Sequence, residues 1–466
     1  MKIYSETGDF KLYKGSMLDM LEAIQSNSID SIVTDPPYEL GFMGKHWDNS
    51  GIAFQADTWR KCYAVLKSGG YLLAFGGTRT FHRIACAIED AGFEIRDTIM
   101  WLYGSGFPKS MNIGLAIDKK NGVESKVIGQ SDFPDIRNSN YKNNDGTRII
   151  VKQKAAQNEW AGWGTALKPA YEPVIVARKP CEGSCVDNVM RYGVGGINID
   201  GCRVGDDVIT TNGARKNPMA GDERTGKALG MFQETEALNT DHNGRYPANV
   251  ILTYDESDKE EVCGDMPETK SNGGKTSMPD FFDAGQKNSV NKIGYNDGDP
   301  ASRKDSDYVC PMDEGSAARY FYCAKASKRD RDEGLDAFQE KQTTDGSLRC
   351  NEDTARMFGA NSSLHRNTHP TVKPTDLMQY LVRLVTPPNG TVLDPFNGSG
   401  STGKAVMYEN RDRNSGYKYI GIELTAEYLP IADARIRYAA GDDSPVEPIE
   451  QPLAGQITVF DLLGGT

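Results

Sequence analysis

Residues 391–405 read TVLDPFNGSGSTGKA, and this stretch decides which fold to expect. TVLDPF has the apolar character of a buried strand, and three glycines follow it, at Gly398, Gly400 and Gly403. A helical segment comes next, and then a second strand ends near Glu423. Strand, glycines, helix, strand and acid in this order are typical of a nucleotide-binding turn, in which the acid binds a ribose hydroxyl. An ordinary tight turn between strand and helix is the simpler alternative.

The position of this turn in the chain predicts an unusual strand order. A nucleotide-binding sheet needs several more strand–helix units, yet only residues 404–466 follow the turn. The missing strands must therefore come from the N-terminal part of the chain. We expect the strand at 10–16 to lie beside the strand at 418–424, with a cofactor over the ends of 391–396 and 418–424.

The N-terminal part has suitable strands and helices. Through residues 1–110, apolar runs of strand character alternate with helical segments, which indicates a mostly parallel sheet covered on both faces. One of these helices, WRKCYAVLKSGG at 59–70, is expected to end at its glycines. We predict an α/β fold: a Rossmann-like mixed, mostly parallel sheet with helices on both faces, circularly reordered motifs, and an inserted irregular region.

Composition divides the chain into four parts. Residues 1–180 and 366–440 carry the α/β pattern and form two halves of one domain. Residues 181–365 are rich in Gly, Asn, Asp, Ser and Lys and have almost no periodicity at 205–245 and 264–306. This composition indicates long surface loops or a region that orders on a partner. Residues 441–466 form an acidic, proline-rich tail.

The stretch TDPPYEL at 34–40 is the second informative motif. It follows the apolar strand SIDSIV and places two stiff prolines between an acid, Asp35, and an aromatic ring, Tyr38. Ligands of α/β sheets bind at the carboxyl ends of strands, so the motif is a candidate binding or catalytic segment. A structural turn that ends the strand is the alternative.

Together these motifs resemble those of the β group of S-adenosylmethionine-dependent DNA amino-methyltransferases, the DPPY type of phage and bacterial DNA modification methylases. The resemblance rests on TDPPY at 34–38, HPTVKP at 369–374, DPFNGSG at 394–400 and Glu423, and it covers residues 10–180 and 366–440. It implies that 1–180 is the catalytic half, 366–440 the cofactor-binding half, and 181–365 the target recognition region.

The resemblance also implies a site for S-adenosylmethionine. Gly398 and Gly400 would let the backbone approach the cofactor closely, and Glu423 would accept hydrogen bonds from its ribose. The family often has an Asp where this chain has Ser16, so the adenine contact stays open between Ser16 and Asp19. The full predicted cofactor set is Thr371, Lys373, Asp394, Phe396, Asn397, Gly398, Gly400 and Glu423.

For methyl transfer, the resemblance implies a catalytic set of Asp35, Pro36, Pro37 and Tyr38. An exocyclic base amine is a weak nucleophile because its lone pair is delocalised into the ring. The carboxylate of Asp35 and the carbonyl of Pro36 would accept its N–H groups, and the prolines would hold both acceptors in place. Tyr38 would stack on a base extracted from the helix, so Phe would serve nearly as well. No metal is expected.

The predicted activity is therefore site-specific methylation of double-stranded DNA, at adenine N6, in a restriction–modification setting. Cytosine N4 is the first alternative, and an RNA or protein amide methyltransferase or a non-catalytic DNA-binding protein are others. Arg79 and Lys109 are candidate phosphate contacts because both lie on loops after predicted strands. The segment 100–180 carries 12 Lys and Arg against 7 Asp and Glu, whereas the whole chain has a net charge of −12.

The cysteines and the apolar runs indicate a cytoplasmic protein, and the resemblance implies a bacterial or phage origin. Nine cysteines without a CxxC pair favour reduced thiols, and a metal half-site at Cys181, Cys185 and Cys202 is the lesser alternative. We expect neither a signal peptide at MKIYSETGDF nor a membrane span.

A short motif in the tail indicates one more partner. QITVF at 456–460 resembles the peptide by which replication proteins dock on the sliding clamp, with Gln456 at the rim and Val459 and Phe460 in the apolar pocket. An edge strand folded back on the chain's own catalytic domain is the alternative.

Overall fold

The structure is a computed structural model of the chain. It describes residues 2–40, 46–103, 110–124, 126–132, 150–211, 240–254, 268–271, 313–316, 321–325, 328–343, 363–442, 444 and 446. The described residues fall into two compact units, one made of those within 1–201, 249–257 and 323–466 and the other of those within 202–248 and 258–322.

The described strands are, in chain order, β1 (Lys2–Glu6), β2 (Phe10–Lys14), β3 (Ile29–Thr34), β4 (Leu66–Phe75), β5 (Glu94–Tyr103), β6 (Lys126–Asp132), β7 (Ile150–Ala155), β8 (Tyr171–Arg178), β9 (Val204–Thr211), β10 (Thr240–Arg245), β11 (Val250–Tyr254), β12 (Glu268–Ser271), β13 (Asp313–Ser316), β14 (Tyr322–Lys325), β15 (Lys341–Thr343), β16 (Ser363–His365), β17 (Thr391–Asp394) and β18 (Lys418–Glu423). The described α-helices are α1 (Met17–Leu21), α2 (Ala56–Val65), α3 (Phe81–Asp90), α4 (Ile113–Lys120), α5 (Cys185–Tyr192), α6 (Lys328–Asp332), α7 (Thr375–Val385), α8 (Ser401–Arg413) and α9 (Leu429–Ala440).

One large mixed sheet organises the first unit. Its order is β1-β2-β18-β17-β3-β4-β8-β5-β11-β14. The run from β2 to β4 is parallel, β8 is antiparallel to both of its neighbours, and β11 is parallel to β5. The predicted α/β class with a mostly parallel sheet is confirmed.

The predicted circular reordering is also confirmed. Strand β2, near the start of the chain, pairs in parallel with β18, and Phe10 lies opposite Tyr419 while Lys14 lies opposite Glu423. Strand β17 pairs with β3 on its other side. From β3 the chain continues to β4 on one side, and from β17 it continues to β18 on the other. The crevice between the ends of β3 and β17 is therefore a topological switch point, where open α/β sheets bind ligands.

Helices cover both faces of the sheet. On one face, residues of α1, α2 and α3 form a continuous buried cluster with strand residues such as Ile32, Leu72 and Leu393. The next residue back along β3, Ser31, faces the other way and exchanges a hydrogen bond of 2.8 Å with Thr386, just after α7. Because neighbouring strand residues point to opposite faces, α7 and the helices α8 and α9 that follow it cover the second face.

One expected helix end is wrong. Helix α2 ends at Val65, and the predicted stop glycines lie inside β4. A Cβ at Gly70 would come within 2.9 Å of the carbonyl oxygen of Asp30 on β3. Close approach of two strands, rather than helix termination, therefore accounts for glycine at this position.

Several described parts of residues 181–365 belong to the sheet unit, namely α5, β11 and α6. In the second unit, β9 pairs with β10 and β12 pairs with β13, both antiparallel. The target-recognition role of this region stays a prediction. Among the described residues, no helix combines the length and the apolar character that crossing a membrane requires.

Candidate active site

Asp394 holds the glycine loop in place through three hydrogen bonds. Its Oδ1 accepts hydrogen bonds from Thr34 Oγ1 at 2.6 Å and from the backbone N–H of Phe396 at 3.1 Å, and its Oδ2 accepts one from Thr402 Oγ1 at 2.7 Å. The side chain is buried, which raises the pKa of Asp394 to about 6. These bonds tie the end of β3, the loop and the start of α8 together, so Asp394 shapes the site rather than presenting an open oxygen to a ligand.

The two loop glycines are required by their surroundings. Gly398 has a φ of +51°, and a Cβ there would lie 2.9 Å from Nε2 of His369. Gly400 has a φ of +76°, and a Cβ would lie 2.9 Å from Cα of Ala432 on α9. Both residues therefore need glycine, because the left-handed backbone and the close packing of the turn leave no room for a side chain.

The other two predicted loop residues are mainly structural. Asn397 is buried, and its Oδ1 accepts a 2.7 Å hydrogen bond from Tyr419 Oη. Phe396 packs its ring against Trp59 of α2, with ring centroids 6.4 Å apart. Both contacts fix the path of the loop between β17 and α8.

Glu423 lies at the end of β18, beside the glycine loop. Its Oε2 accepts from the backbone N–H of Gly398 at 2.7 Å, and its Oε1 accepts from that of Thr425 at 2.6 Å. Burial raises the pKa of Glu423 to about 7. A carboxylate has about four acceptor positions, so both oxygens keep capacity for hydroxyl donors after these two bonds.

The HPTVKP segment packs over the loop. The His369 ring is buried against Tyr428, with ring centroids 4.4 Å apart, and its Nδ1 lies 2.7 Å from the carbonyl oxygen of Thr371. Burial lowers the pKa of His369 to about 4, so the imidazole is neutral. A neutral ring that donates from Nδ1 to Thr371 keeps Nε2 as an acceptor facing Gly398.

Lys373 crosses from this segment to the TDPPY motif. Its Nζ lies 2.7 Å from Asp35 Oδ2 and 3.3 Å from Glu172 Oε2, and the residue is 6% exposed. The ammonium also lies 4.9 Å from the ring centroid of Phe75 and 5.4 Å from that of Tyr38. Burial disfavours its charge, but the carboxylates of Asp35 and Glu172 outweigh burial and raise the pKa of Lys373. The group is therefore a fixed cation between two acids.

Asp35 keeps one oxygen open. Whereas Oδ2 is held by Lys373, Oδ1 is buried and has no hydrogen-bond partner within the described part of the chain. A buried acceptor without a donor costs free energy, so such an atom at a switch point is a candidate for contact with a ligand's donor.

Two hydrogen bonds fix the position of Tyr38, one at its hydroxyl and one at its backbone carbonyl. Its hydroxyl donates to Glu172 Oε2 at 2.8 Å, and its carbonyl oxygen accepts from Thr80 Oγ1 at 2.8 Å. Burial, with Asp35 and Glu172 nearby, raises the pKa of Tyr38 well above its ordinary value. Pro36 and Pro37 form the short link between Asp35 and this fixed ring.

The sequence interpretation missed Glu172 and α6. Glu172 lies in KPAYEP at the start of β8, and the sequence interpretation assigned this acid no role. In α6, Asp330 accepts a hydrogen bond from the fully buried Lys404 at 2.7 Å, and Arg331 Nη2 donates to the carbonyl oxygen of His369 at 2.7 Å. Helix α6 therefore fastens both the glycine-loop helix and the HPTVKP segment.

The structure describes some of the other predicted residues and not the rest. Arg79 is exposed in the turn after β4, one residue before Thr80, and so lies near the site. Ser16 uses its hydroxyl to cap α1, accepting from the backbone N–H of Leu18 at 3.3 Å. Lys109 and the tail residues Gln456, Val459 and Phe460 lie outside the described residues.

Comparison with known proteins places these motifs in a family. A sequence profile described as DNA methylase, of the N6/N4 type, matches residues 29–434. The type II methyltransferase M.HindIII of Haemophilus influenzae is 21% identical in an alignment of 231 positions that covers 40% of this chain and 64% of that protein. The putative methylase YubD of Escherichia coli is 50% identical over 68 residues, 15% of this chain and 27% of that protein.

The matches to these two relatives span less than two thirds of the relatives' own length. Among solved structures, the PvuII DNA methyltransferase (cytosine-N4-specific) aligns over 92% of this chain and 86% of that chain, with 14% identity and a TM-score of 0.38. A likeness of that size carries no conclusion about substrate. The profile, however, spans most of the chain, from β3 and the TDPPY motif through the glycine loop to α9, and the chain belongs to the N6/N4 DNA methylase family.

Proposed function

We propose that this chain transfers a methyl group from S-adenosylmethionine to the exocyclic amine of a base in double-stranded DNA, at adenine N6. The observation that carries this proposal is Asp35 at the switch point. Lys373 holds one of its carboxylate oxygens, and the other is buried without a donor. An acceptor fixed in this way is preorganised for an N–H group that arrives with the substrate.

The turn after β17 and the end of β18 fit the proposed cofactor. Gly398 and Gly400 give the turn a left-handed path that leaves no room for a Cβ, and Glu423 retains acceptor capacity for ribose hydroxyls. Two carboxylates, those of Asp35 and Glu172, face the single ammonium of Lys373. The excess negative charge suits a cationic ligand. When bound, S-adenosylmethionine supplies a methyl group already activated by its sulfonium.

The chain's own residues would prepare the base for transfer. Asp35 Oδ1 accepts an N–H of the exocyclic amine and so favours the pyramidal nitrogen, whose lone pair is available for attack. The same oxygen is placed to take the proton that the amine then loses. Tyr38, held by Glu172 and Thr80, offers a fixed ring for stacking on the extracted base, which contributes about 1–3 kcal/mol.

Adenine is the proposed base because the DPPY motif accompanies adenine more often than cytosine in similar enzymes. Asp35 and Tyr38 would treat the N4 amine of cytosine in the same way, so cytosine remains the second candidate. We assign target recognition to residues 181–365, and methylation of RNA or of a protein amide is the less favoured activity.

The test is transfer of label from the methyl-labelled cofactor to unmethylated bacterial DNA by the full chain, with RNA as a parallel substrate. Digestion of the product to nucleosides should place the label on N6-methyladenine. Label on N4-methylcytosine would change the assigned base. Label on RNA alone, or no label with retained DNA binding, would contradict the proposed DNA methyltransferase.

From sequence alone, we also propose that QITVF at 456–460 docks on a sliding clamp. Docking would raise the effective concentration of the enzyme on newly copied DNA. A pull-down with clamp should retain the intact chain and lose a Gln456→Ala, Phe460→Ala variant. Equal retention of both chains, or retention of neither, contradicts the docking.

A further inference from the structure

An apolar loop is exposed near the active site. We call residues 160–167 the Trp–Leu loop. Its Trp163 is 60% exposed and its Leu167 is 93% exposed, and residues 161–170 are exposed without interruption. The rings of Trp160 and Trp163 pack edge to face, with centroids 5.2 Å apart. Large apolar side chains grouped on a surface are a common mark of an interaction site.

The Trp–Leu loop is held in one conformation by Ser110 and by the first residue of α4, Ile113. Ser110 Oγ accepts hydrogen bonds from the backbone N–H groups of Thr165 at 2.9 Å and Ala166 at 3.3 Å. The carbonyl oxygen of Trp163 accepts from the N–H of Ile113 at 3.0 Å. A Cβ at Gly164 would lie 2.3 Å from Ser110 Oγ, so the packing demands glycine there. Hydrogen bonds and close packing therefore hold these apolar side chains in a fixed position at the surface.

The topology places the Trp–Leu loop at the active-site edge of the sheet. Strands β3, β4 and β5 are mutually parallel and end at this edge, and β8 runs the opposite way and so begins there. The N–H of Tyr103, at the end of β5, donates to the carbonyl oxygen of Ala170 at 3.0 Å. Glu172 of the active site follows Leu167 by five residues, at most about 18 Å of extended chain.

The charge of the surrounding segment favours nucleic acid as the partner. Residues 100–180 hold 12 Lys and Arg and 7 Asp and Glu, although the whole chain has a net charge of −12. Exposed Lys168 follows Leu167 directly. A basic segment that presents rigid apolar side chains matches the chemistry of proteins that insert a wedge between base steps.

We propose that the Trp–Leu loop enters duplex DNA beside the extracted base, with Leu167 as the wedge and Trp163 as its aromatic support. This inference rests on the proposed function, because a wedge is needed only if a base leaves the helix. Leu167 fills the space that the base vacates and lowers the cost of unstacking. Single-stranded DNA has no such space to fill, so the wedge is dispensable there.

The test compares Leu167→Ala and Trp163→Ala with Ile3→Ala as a matched control. Ile3 is an exposed apolar residue, 47% exposed, on β1, and five strands separate β1 from β8 in the sheet order. Methyl transfer is measured on the same bacterial DNA in duplex and heat-denatured form. Affinity for the duplex is measured by fluorescence anisotropy.

We expect Leu167→Ala to slow transfer to the duplex by about tenfold, equivalent to about 1.4 kcal/mol. Transfer to denatured DNA should change less than about twofold, and Ile3→Ala should match the wild type on both forms. Trp163→Ala should weaken duplex binding. Equal losses on both forms, or wild-type behaviour of Leu167→Ala in both transfer and affinity, would overturn the wedge. A change in sedimentation of Leu167→Ala without a change on DNA would also overturn it, in favour of a protein contact.

A wild-type chain that transfers no label contradicts the proposed function itself. In that case, affinity for the DNA duplex is the remaining test of the Trp–Leu loop. Unchanged duplex affinity in both Leu167→Ala and Trp163→Ala would exclude the loop as a DNA contact.

Discussion

Two aspartates end neighbouring strands of the same sheet and have opposite surroundings. Asp394, the last residue of β17, accepts three hydrogen bonds from Thr34, Thr402 and the Phe396 backbone, and both of its oxygens are used. Asp35, after β3, has one oxygen on Lys373 and one with no donor among the described residues. The same residue type thus serves structure where its hydrogen bonds are complete and is available for chemistry where they are not.

The two regions also differ in how their charge is balanced. Asp394 and Glu423 meet only neutral donors in the bonds described above, and burial raises the pKa of the first to about 6 and of the second to about 7. Asp35 has the ammonium of Lys373 within 2.7 Å. The TDPPY side of the crevice is therefore held by ion pairs. The glycine-loop side is held by hydrogen bonds to two carboxylates, Asp394 and Glu423, whose protonation can change with pH.

The largest effect expected is that of Lys373→Met, which removes the cation from between Asp35 and Glu172. Two partly buried carboxylates would then face each other without compensation, so the free energy of unfolding should fall by about 3–5 kcal/mol. Denaturant unfolding followed by circular dichroism measures the loss. The exposed Lys120→Met is the control and should leave stability unchanged. Equal stability of both variants would show that the network is not held by Lys373.

Asp394→Ala should come next and should act on folding. It leaves the hydroxyls of Thr34 and Thr402 and the N–H of Phe396 without their acceptor, at a cost of about 3 kcal/mol in unfolding free energy. Asp57→Ala breaks only an exposed ion pair with Arg60 and should cost less than about 1 kcal/mol. An Asp394→Ala variant with the same free energy of unfolding as the wild type would contradict the structural role assigned to Asp394.

Glu423 gives a pH test of the cofactor side. Its ionised form is the better acceptor for ribose hydroxyls, and its pKa lies near 7, so cofactor affinity should rise about tenfold between pH 6 and pH 8. Glu423→Gln should bind more weakly and lose this dependence, because Gln does not titrate. Calorimetric titration at several pH values measures both chains. A parallel rise in the variant would assign the titration to another group.

The smallest effect expected is that of Tyr38→Phe. The TDPPY sequence alone predicts a nearly neutral change, because the ring is kept. The structure adds a hydrogen bond from the hydroxyl to Glu172, whose loss should cost about 1 kcal/mol, or about fivefold in transfer. Tyr38→Ala should lose more, since stacking is lost as well. Steady-state transfer on duplex DNA compares the two, and a larger loss in Tyr38→Phe would contradict stacking as the main role.

The comparison also shows what could be read from the sequence. The order β2–β18 and the place of Asp35 and Glu423 follow from local signals, namely apolar runs, glycines and prolines at strand ends. Glu172 and Asp330 gave no such signal, because their roles arise from contacts with Lys373 and Lys404, 201 and 74 residues away in the chain. The wrong end of α2 has a similar cause: the packing of β4 against β3 overrode a local stop signal.

The central claim is that the open oxygen of Asp35 is reserved for the amine of the target base. Its most direct test is Asp35→Ala, assayed for methyl transfer at saturating cofactor and DNA, with cofactor affinity measured on the same preparation. Losing one placed acceptor should cost about 3 kcal/mol of the barrier, so transfer should fall by more than about 100-fold while cofactor affinity stays near that of the wild type. Transfer close to the wild-type rate, or a loss fully explained by failed cofactor binding, would contradict the claim.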